Sequence, residues 1–253
     1  MRNMEIEEFV RNTHFTGYQK ITLPSGYVIP GNDRQPLANK IFPETLEGKS
    51  YLDAGCYYGF FLHEAIRRGA SRVIGIEANR ERARIARKLT SFWNEKIEIL
   101  ECLVEEVDCT EQFDFVTFLN VLHHVTDPMR VMKKLAGLCK GTLVVEFRNP
   151  RDNEFLIDCF LSPGKTDFRP QSVIGKIGSG FRLRFEKLLM ARAMKRIPLV
   201  GVASVEYHRS YFYSPAAFVN AFQVHGKLFR SVEFRRSLKD GRTLAFCDCR
   251  RNA

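Results

Sequence analysis

Residues 50–77 read "SYLDAGCYYGFFLHEAIRRGASRVIGIE", and the fold follows from this stretch. "SYLDA" is a short strand-like run; Leu62, Ala65 and Ile66 follow at helical spacing, Gly69 is placed to stop that helix, and "RVIGIE" is a second strand. Strand, helix, strand implies a parallel pair joined by a right-handed crossover. The turn between the first strand and the helix is Asp53-x-Gly55-x-x-x-Gly59. Such a turn lets the backbone approach a ligand and points free helix N–H groups at it. A dinucleotide fingerprint would need glycine where Tyr57 stands, which disfavours a pyrophosphate cradle. Glu77 ends the second strand, where a carboxylate can accept both ribose hydroxyl protons of an adenosine. The turn and the acid together describe a nucleoside site with no phosphate requirement.

Working outward, Asn79 is placed to cap a helix carrying Ile85, Leu89, Phe92 and Trp93 on one face, and "KIEIL" follows as a third strand. "FDFVTFL" is too continuously apolar for a one-sided sheet and reads as a buried central strand. Asp127-Pro128 then opens a helix, and "GTLVVEF" is the fifth strand. Ser214-Pro215 opens a further helix through Phe222, ended by Gly226, and "SVEFRR" and "TLAFCDC" close the sheet as an antiparallel-looking pair. The expected fold class is α/β: a doubly wound, mostly parallel seven-stranded sheet of Rossmann-like type with an insertion after the fifth strand. The expected organisation is an N-terminal cap segment (1–48), a core made of 49–147 and 211–253, and a substrate-side insertion (148–210). That insertion carries prolines at 150, 163, 170 and 198.

Of 253 residues, 45% are hydrophobic, and no run approaches the roughly 20 apolar residues that span a bilayer. The N-terminal "MRNMEIEEFVRN" lacks the apolar run of a signal peptide. Seven cysteines, an odd number without zinc-like spacing, suggest reduced thiols in a cytoplasmic protein and no metal site. Cys247 and Cys249 are expected to split across the two faces of their strand. The net charge of +10 suits an anionic partner, and residues 176–196 concentrate it with seven Lys/Arg against one Glu. This basic amphipathic stretch is compatible with a solvated lid, an anionic acceptor (a small molecule or tRNA) or peripheral membrane contact.

"LDAGCYYGFFLHEAIRRGASRVIGIE" and "FDFVTFLNVLHHVTDP" resemble class I S-adenosylmethionine-dependent methyltransferases, most closely the branch of wobble-uridine tRNA methyltransferases and their small-molecule relatives. The upstream "ITLPSGYVIPGNDRQPLANKIFPETLEGK" is similar to the same branch, so the resemblance covers roughly residues 17–148. It implies S-adenosyl-L-methionine as cofactor. It further implies that Asp53, Gly55 and Gly59, with Cys56 and Tyr57 between them, form the methionine-side loop. Glu77 would hold the ribose, Ala78 and Leu103 would lie along the adenine, and Leu119 and Asn120 would end the fourth strand beside the cofactor. Tyr57 departs from the glycine of many relatives and is placed to cover the cofactor or narrow the methyl channel.

Methyl transfer from a sulfonium is a displacement in which positioning dominates, and a base is needed only where the acceptor arrives protonated. His123 is the candidate catalytic base, with His124 beside it, while Tyr57, Tyr58, Tyr207, Tyr211 and Phe212 are candidates to line the acceptor pocket. The expected function is methyl transfer to a hydroxyl or amine of a small or glycosylated metabolite. The alternatives are a tRNA base-modifying methyltransferase and a cofactor-binding protein without activity.

Overall fold

Tyr51, Leu52, Asp53 and Ala54 are all buried, which a strand achieves only when both faces of its sheet are covered. The computed structural model describes residues 2–93, 97–149, 156–158, 200–205 and 208–250. The elements in chain order begin with α1 (Arg2–Arg11), β1 (Ile21–Thr22), β2 (Val28–Ile29) and α2 (Gln35–Ile41). The core follows with β3 (Ser50–Ala54), α3 (Phe60–Arg67), β4 (Arg72–Ile76), α4 (Arg80–Ser91), β5 (Ile97–Leu100), β6 (Phe113–Leu119), α5 (Pro128–Leu138) and β7 (Cys139–Arg148). Beyond it come β8 (Leu156–Asp158), β9 (Val200–Val205), β10 (His208–Tyr213), α6 (Pro215–Phe218), β11 (Ser231–Arg236) and β12 (Arg242–Asp248).

The seven-stranded sheet has the order β11-β12-β7-β6-β3-β4-β5. Its five inner-chain strands run parallel, while β12 pairs antiparallel with both β7 and β11. The chain leaves β3 toward β4 on one side and returns to β6 on the other. In such a sheet the crevice outside the carboxyl ends of β3 and β6 is where ligands bind.

The helix starts behave as read. The Asn79 side chain accepts from the Arg82 N–H, Asp127 from Arg130 and Ser214 from Ala217. One sheet face is covered by Val131, Met132 and Leu135 of α5 together with Phe218 and Phe222. The other is covered by Leu37 and Ile41 of α2, Leu62 and Ala65 of α3 and Ala86 of α4. A third cluster joins Ile6 of α1, Ile21 and Ile29 to Ile85 and Leu89 of α4, so the N-terminal segment is packed onto the core.

The structure differs from the sequence reading in two places. The α-helix after Pro215 lasts only to Phe218 and continues as a π-helical turn, Val219–His225. Cys247 and Cys249 do not split across faces: residues two apart in a strand share a face, and both are buried with Cys139 in the same cluster. Among the described residues no group of three or more His, Cys, Asp and Glu side chains could hold a metal ion. From the expected insertion, β8 and β9 form a three-stranded antiparallel sheet with β10. The basic stretch 176–196 and Tyr207 lie outside the described residues.

Candidate active site

Asp53 and Thr117 face each other in the register of β3 and β6, which places both side chains on one face of the sheet. The Thr117 hydroxyl donates to Asp53 Oδ1 at 2.7 Å, and the Tyr51 hydroxyl lies 2.6 Å from the same Thr117 oxygen. Asp53 Oδ2 is buried without a hydrogen-bond partner. Burial pushes the Asp53 carboxyl up to about 7; the Thr117 hydrogen bond pulls it down and the Glu77 charge pushes it up. A buried acid with one oxygen unserved is chemically prepared for a cation.

The turn after β3 is built from backbone conformations that L side chains rarely adopt. Gly55 has φ +85°, and a Cβ there would lie 2.6 Å from Val121 Cγ2. Gly59, at φ +92°, is the N-cap of α3. Tyr57 adopts φ 57° despite its side chain. Its N–H donates to Glu77 Oε2 at 3.0 Å, and the Asn79 N–H donates to Glu77 Oε1 at 2.9 Å. Glu77 is therefore only 6% exposed and is not the solvent-facing strand end that a lone acid at this position suggests. Each of its oxygens keeps a lone pair for a ligand hydroxyl.

The N-terminal segment closes this turn from above. Gln19 Oε1 accepts from the N–H groups of Tyr58 and Phe60, at 3.3 and 3.4 Å, satisfying donors at the start of α3. The Tyr18 ring packs at a tilt of 46° against Tyr57, with centroids 4.5 Å apart, and its hydroxyl accepts from Asn120 Nδ2 at 2.7 Å. Asn120 has φ 62°, and its Oδ1 is buried without a partner.

These groups surround a cavity of about 710 Å³ at the carboxyl ends of the central strands. Asp53, Gly55, Tyr57 and Glu77 line one part; Ala78, Leu103, Leu119 and Asn120 line the adjoining wall. Cys56 and Gly59 do not line it. Cys56 is fully buried beneath the turn against Gly75, and Gly59 shapes the start of α3. Tyr18, Gln19, Arg34 and Glu146 also line the cavity and were not singled out from the sequence.

The two histidines are separated by the turn that holds them. Residues Leu122–His124 form a 3₁₀ turn, which sends His123 inward and His124 outward to the cavity. His123 is 4% exposed, does not line the cavity, and stacks on His124 and Phe212. Burial, followed by the positive neighbours His124, Arg242, Arg148 and Lys239, pushes its pKa down to about 3. An imidazole with so low a pKa is a weak base, and among the described residues it is His124 that reaches the cavity. Phe212 is buried and Tyr211 partly buried, packed as core rather than among the cavity residues.

A family profile described as "Methyltransferase domain" matches residues 33–226. The chain belongs to this methyltransferase family. Its cofactor is S-adenosylmethionine, which the site fits by the orphaned Asp53 and Asn120 oxygens, the paired Glu77 carboxylate and a cavity of nucleoside size. Among curated proteins the chain is 29% identical over 218 residues to the ubiquinone biosynthesis O-methyltransferase of Alkalilimnicola ehrlichii, covering 76% of this chain and 86% of that one. It is 33% identical over 114 residues to the enzyme of the same name from Rhodopseudomonas palustris strain TIE-1, 44% of this chain and 45% of that one. The match thus spans about half the length of that second relative. Among solved structures, an S-adenosylmethionine dependent methyltransferase from Mesorhizobium loti aligns with a TM-score of 0.54 at 15% identity, covering 85% of this chain and 97% of the other. The magnesium protoporphyrin IX methyltransferase of Synechocystis PCC 6803 aligns with a TM-score of 0.51 at 13% identity, covering 85% and 80%. The methyltransferase fold is common to both. The membership shown is that of the wider methyltransferase family.

Proposed function

We propose that this methyltransferase transfers the methyl group of S-adenosylmethionine to a hydroxyl of a small molecule. The observation that carries the reading is the single cavity in which Asp53, Glu77 and Asn120 adjoin His124, Arg34 and Glu146. Bound S-adenosylmethionine supplies an electrophilic methyl carbon on a sulfonium. In this chain the ionised Asp53 holds the donor's ammonium end, and Glu77 accepts from the ribose hydroxyls. Ala78 and Leu103 flank the base. Gly55 keeps the turn open, and Tyr57 with Tyr18 covers the donor and excludes water. His124 would take the proton of the acceptor hydroxyl, while bound S-adenosylmethionine would supply the methyl group. His123 positions His124 from beneath. The names of the relatives favour oxygen over nitrogen as the methylated atom.

No helix among the described residues is long and apolar enough to cross a membrane, and we take the acceptor to be met in the cytoplasm. The test is to incubate the protein with methyl-labelled S-adenosylmethionine and fractionated cell extract. Label in a small molecule as an ether supports the reading. Label in RNA would replace it with the tRNA alternative, and label nowhere would leave only a cofactor-binding protein.

A further inference from the structure

Tyr51 and Asp53 lie two positions apart on β3 and share a face of the sheet, with Phe115 and Thr117 of β6 opposite them in register. Phe42 and Phe115 pack on the buried Tyr51 ring, at centroid distances of 5.3 and 6.2 Å. The cluster they belong to also holds Phe61 and would accommodate a phenylalanine at position 51 equally well. A tyrosine there must bring a hydroxyl out of water, which is tolerated only where that hydroxyl is bonded. Its partner is Thr117 Oγ1, 2.6 Å away.

The direction of this series follows from the number of hydrogens. A threonine hydroxyl has one, and an ionised carboxylate has none, so Thr117 donates to Asp53 Oδ1 at 2.7 Å. With that hydrogen committed, Thr117 can only accept from Tyr51. Hydrogen bonds in such a buried series polarise one another and favour the charged form of the last acceptor. The series also divides the two oxygens of Asp53: Oδ1 is engaged, while Oδ2 is buried without a partner in a side chain that lines the cavity. The titratable and charged groups around Asp53 are Tyr51 on β3, Cys56 in the turn, Glu77 just after β4 and, across the cavity, Arg34, His124 and Glu146. Burial opposes ionisation of Asp53, the Thr117 hydrogen bond favours it and the Glu77 charge opposes it. Burial and then the Asp53 charge hold the Tyr51 phenol well above its usual pKa, so it stays a donor throughout.

We infer that Tyr51 and Thr117 are positioning residues for the methyl donor: their two hydroxyls, bonded in a fixed order, hold the Asp53 carboxylate charged, with Oδ1 engaged and Oδ2 left for the donor's ammonium group. The inference rests on the proposed role of Asp53 in the cofactor site. Neither residue lines the cavity. Tyr51 acts through Thr117, and Thr117 acts through Asp53. Each therefore changes binding by way of the orientation and proton affinity of the acid, which a core hydrogen bond of purely structural value would not do.

The experiment is calorimetric titration of the full chain with S-adenosylhomocysteine, from about pH 5 to about pH 9. In the wild type the affinity should change through about pH 7, the value for Asp53. Tyr51→Phe fills the same aromatic pocket and should keep the fold. It should move the midpoint up by about half a unit, weakening binding about threefold on the acid side and leaving the alkaline end nearly unchanged. Thr117→Val should move the midpoint by about one unit, with binding about tenfold weaker on the acid side, and Thr117→Ser, which restores the hydroxyl, should return it. The double variant Tyr51→Phe/Thr117→Val leaves no buried hydroxyl unpaired and gives the same reading should Thr117→Val fail to fold. Lower melting temperatures with an unmoved pH midpoint in Tyr51→Phe and the double variant would mark ordinary core hydrogen bonds and overturn the inference. Asp53→Asn separates that failure from failure of the cofactor reading: wild-type affinity in this variant would show that Asp53 does not hold the ammonium group, and the inference would fall with that reading.

Discussion

Tyr18 and Asn120 are 102 positions apart in the chain, and their side chains meet at 2.7 Å across the cavity. The contact ties the N-terminal segment to the carboxyl end of β6 and fixes an asparagine in a left-handed conformation. Tyr18→Phe removes the acceptor for the Asn120 amide while keeping the tilted ring contact with Tyr57. Loss of one such hydrogen bond amounts to about 1 kcal/mol, or roughly a fivefold weaker affinity for S-adenosylhomocysteine. Calorimetry on the purified variant measures it; unchanged affinity would remove the contact from the binding site.

With Asp53 in its proposed role, cofactor binding is expected to depend on pH. Its carboxyl is raised to about 7 in the free protein, and in the proposed site the donor's ammonium group would pair with the ionised form. Affinity for S-adenosylhomocysteine is expected to level off above pH 7 and to fall about tenfold per unit below it. Stability runs the other way. A folded pKa raised above the unfolded value contributes stability that is fully present below about pH 4 and is lost as pH rises toward 7, by about 1.4 kcal/mol per unit. Asp53→Asn should flatten both dependences, unfold at higher temperature than the wild type at pH 8, and bind cofactor poorly. A variant that binds cofactor with the wild-type pH profile would show that another group carries the titration.

Glu77→Ala is expected to weaken both binding and folding. The side chain accepts two backbone N–H groups within the turn, so its removal leaves Tyr57 and Asn79 unsatisfied at about 1–3 kcal/mol each where water cannot reach them. Thermal unfolding and calorimetry on the same sample show the two losses together. A variant of wild-type melting temperature would mean that the turn holds itself.

His124→Gln should lower turnover about 10²–10⁴-fold on a hydroxyl acceptor while leaving S-adenosylhomocysteine affinity unchanged. His123→Phe keeps an aromatic ring against Phe212 and removes the unpartnered nitrogen, and is expected to fold and turn over close to the wild type. The opposite pattern of rates would return the proton-accepting role to His123.

Gly55→Ala combines a forbidden backbone angle with a Cβ pressed against Val121. A loss of about 1–3 kcal/mol in stability is expected, together with a cavity narrowed at the turn. Chemical denaturation measures the first and cofactor titration the second. A stable variant of normal affinity would show that the turn can reshape.

Much of the fold was legible because its strands are apolar on both faces and its helices carry side-chain caps that leave local signals, as at Asn79, Asp127 and Ser214. The donor side was legible for a related reason. Asp53, Gly55 and Glu77 fall within one strand, helix, strand unit, where spacing alone fixes their arrangement. The acceptor side was not. Tyr18, Arg34 and Glu146 come to the cavity only through tertiary packing, and nothing local to any of them announces the others. The histidine assignment shows the limit within a single turn: adjacent residues His123 and His124 differ completely in exposure, and a 3₁₀ turn has no sequence period long enough to say which one faces inward.

The position of β12 between β7 and β11 sets an order of assembly during synthesis. Ninety-four residues separate Asn149 from its β12 partner Thr243, an interval of roughly 5–20 s at ordinary translation rates. Throughout that interval β7 is an edge strand, its main-chain donors and acceptors open on one side beside Val144 and Val145. The nascent chain therefore passes through a stage in which the inner strands have emerged while an apolar edge invites pairing with other chains. Arrival of β12 closes that edge and, in the same step, brings Arg242 to the cavity-lining Glu146, so protection from aggregation and the anchoring of that carboxylate come together.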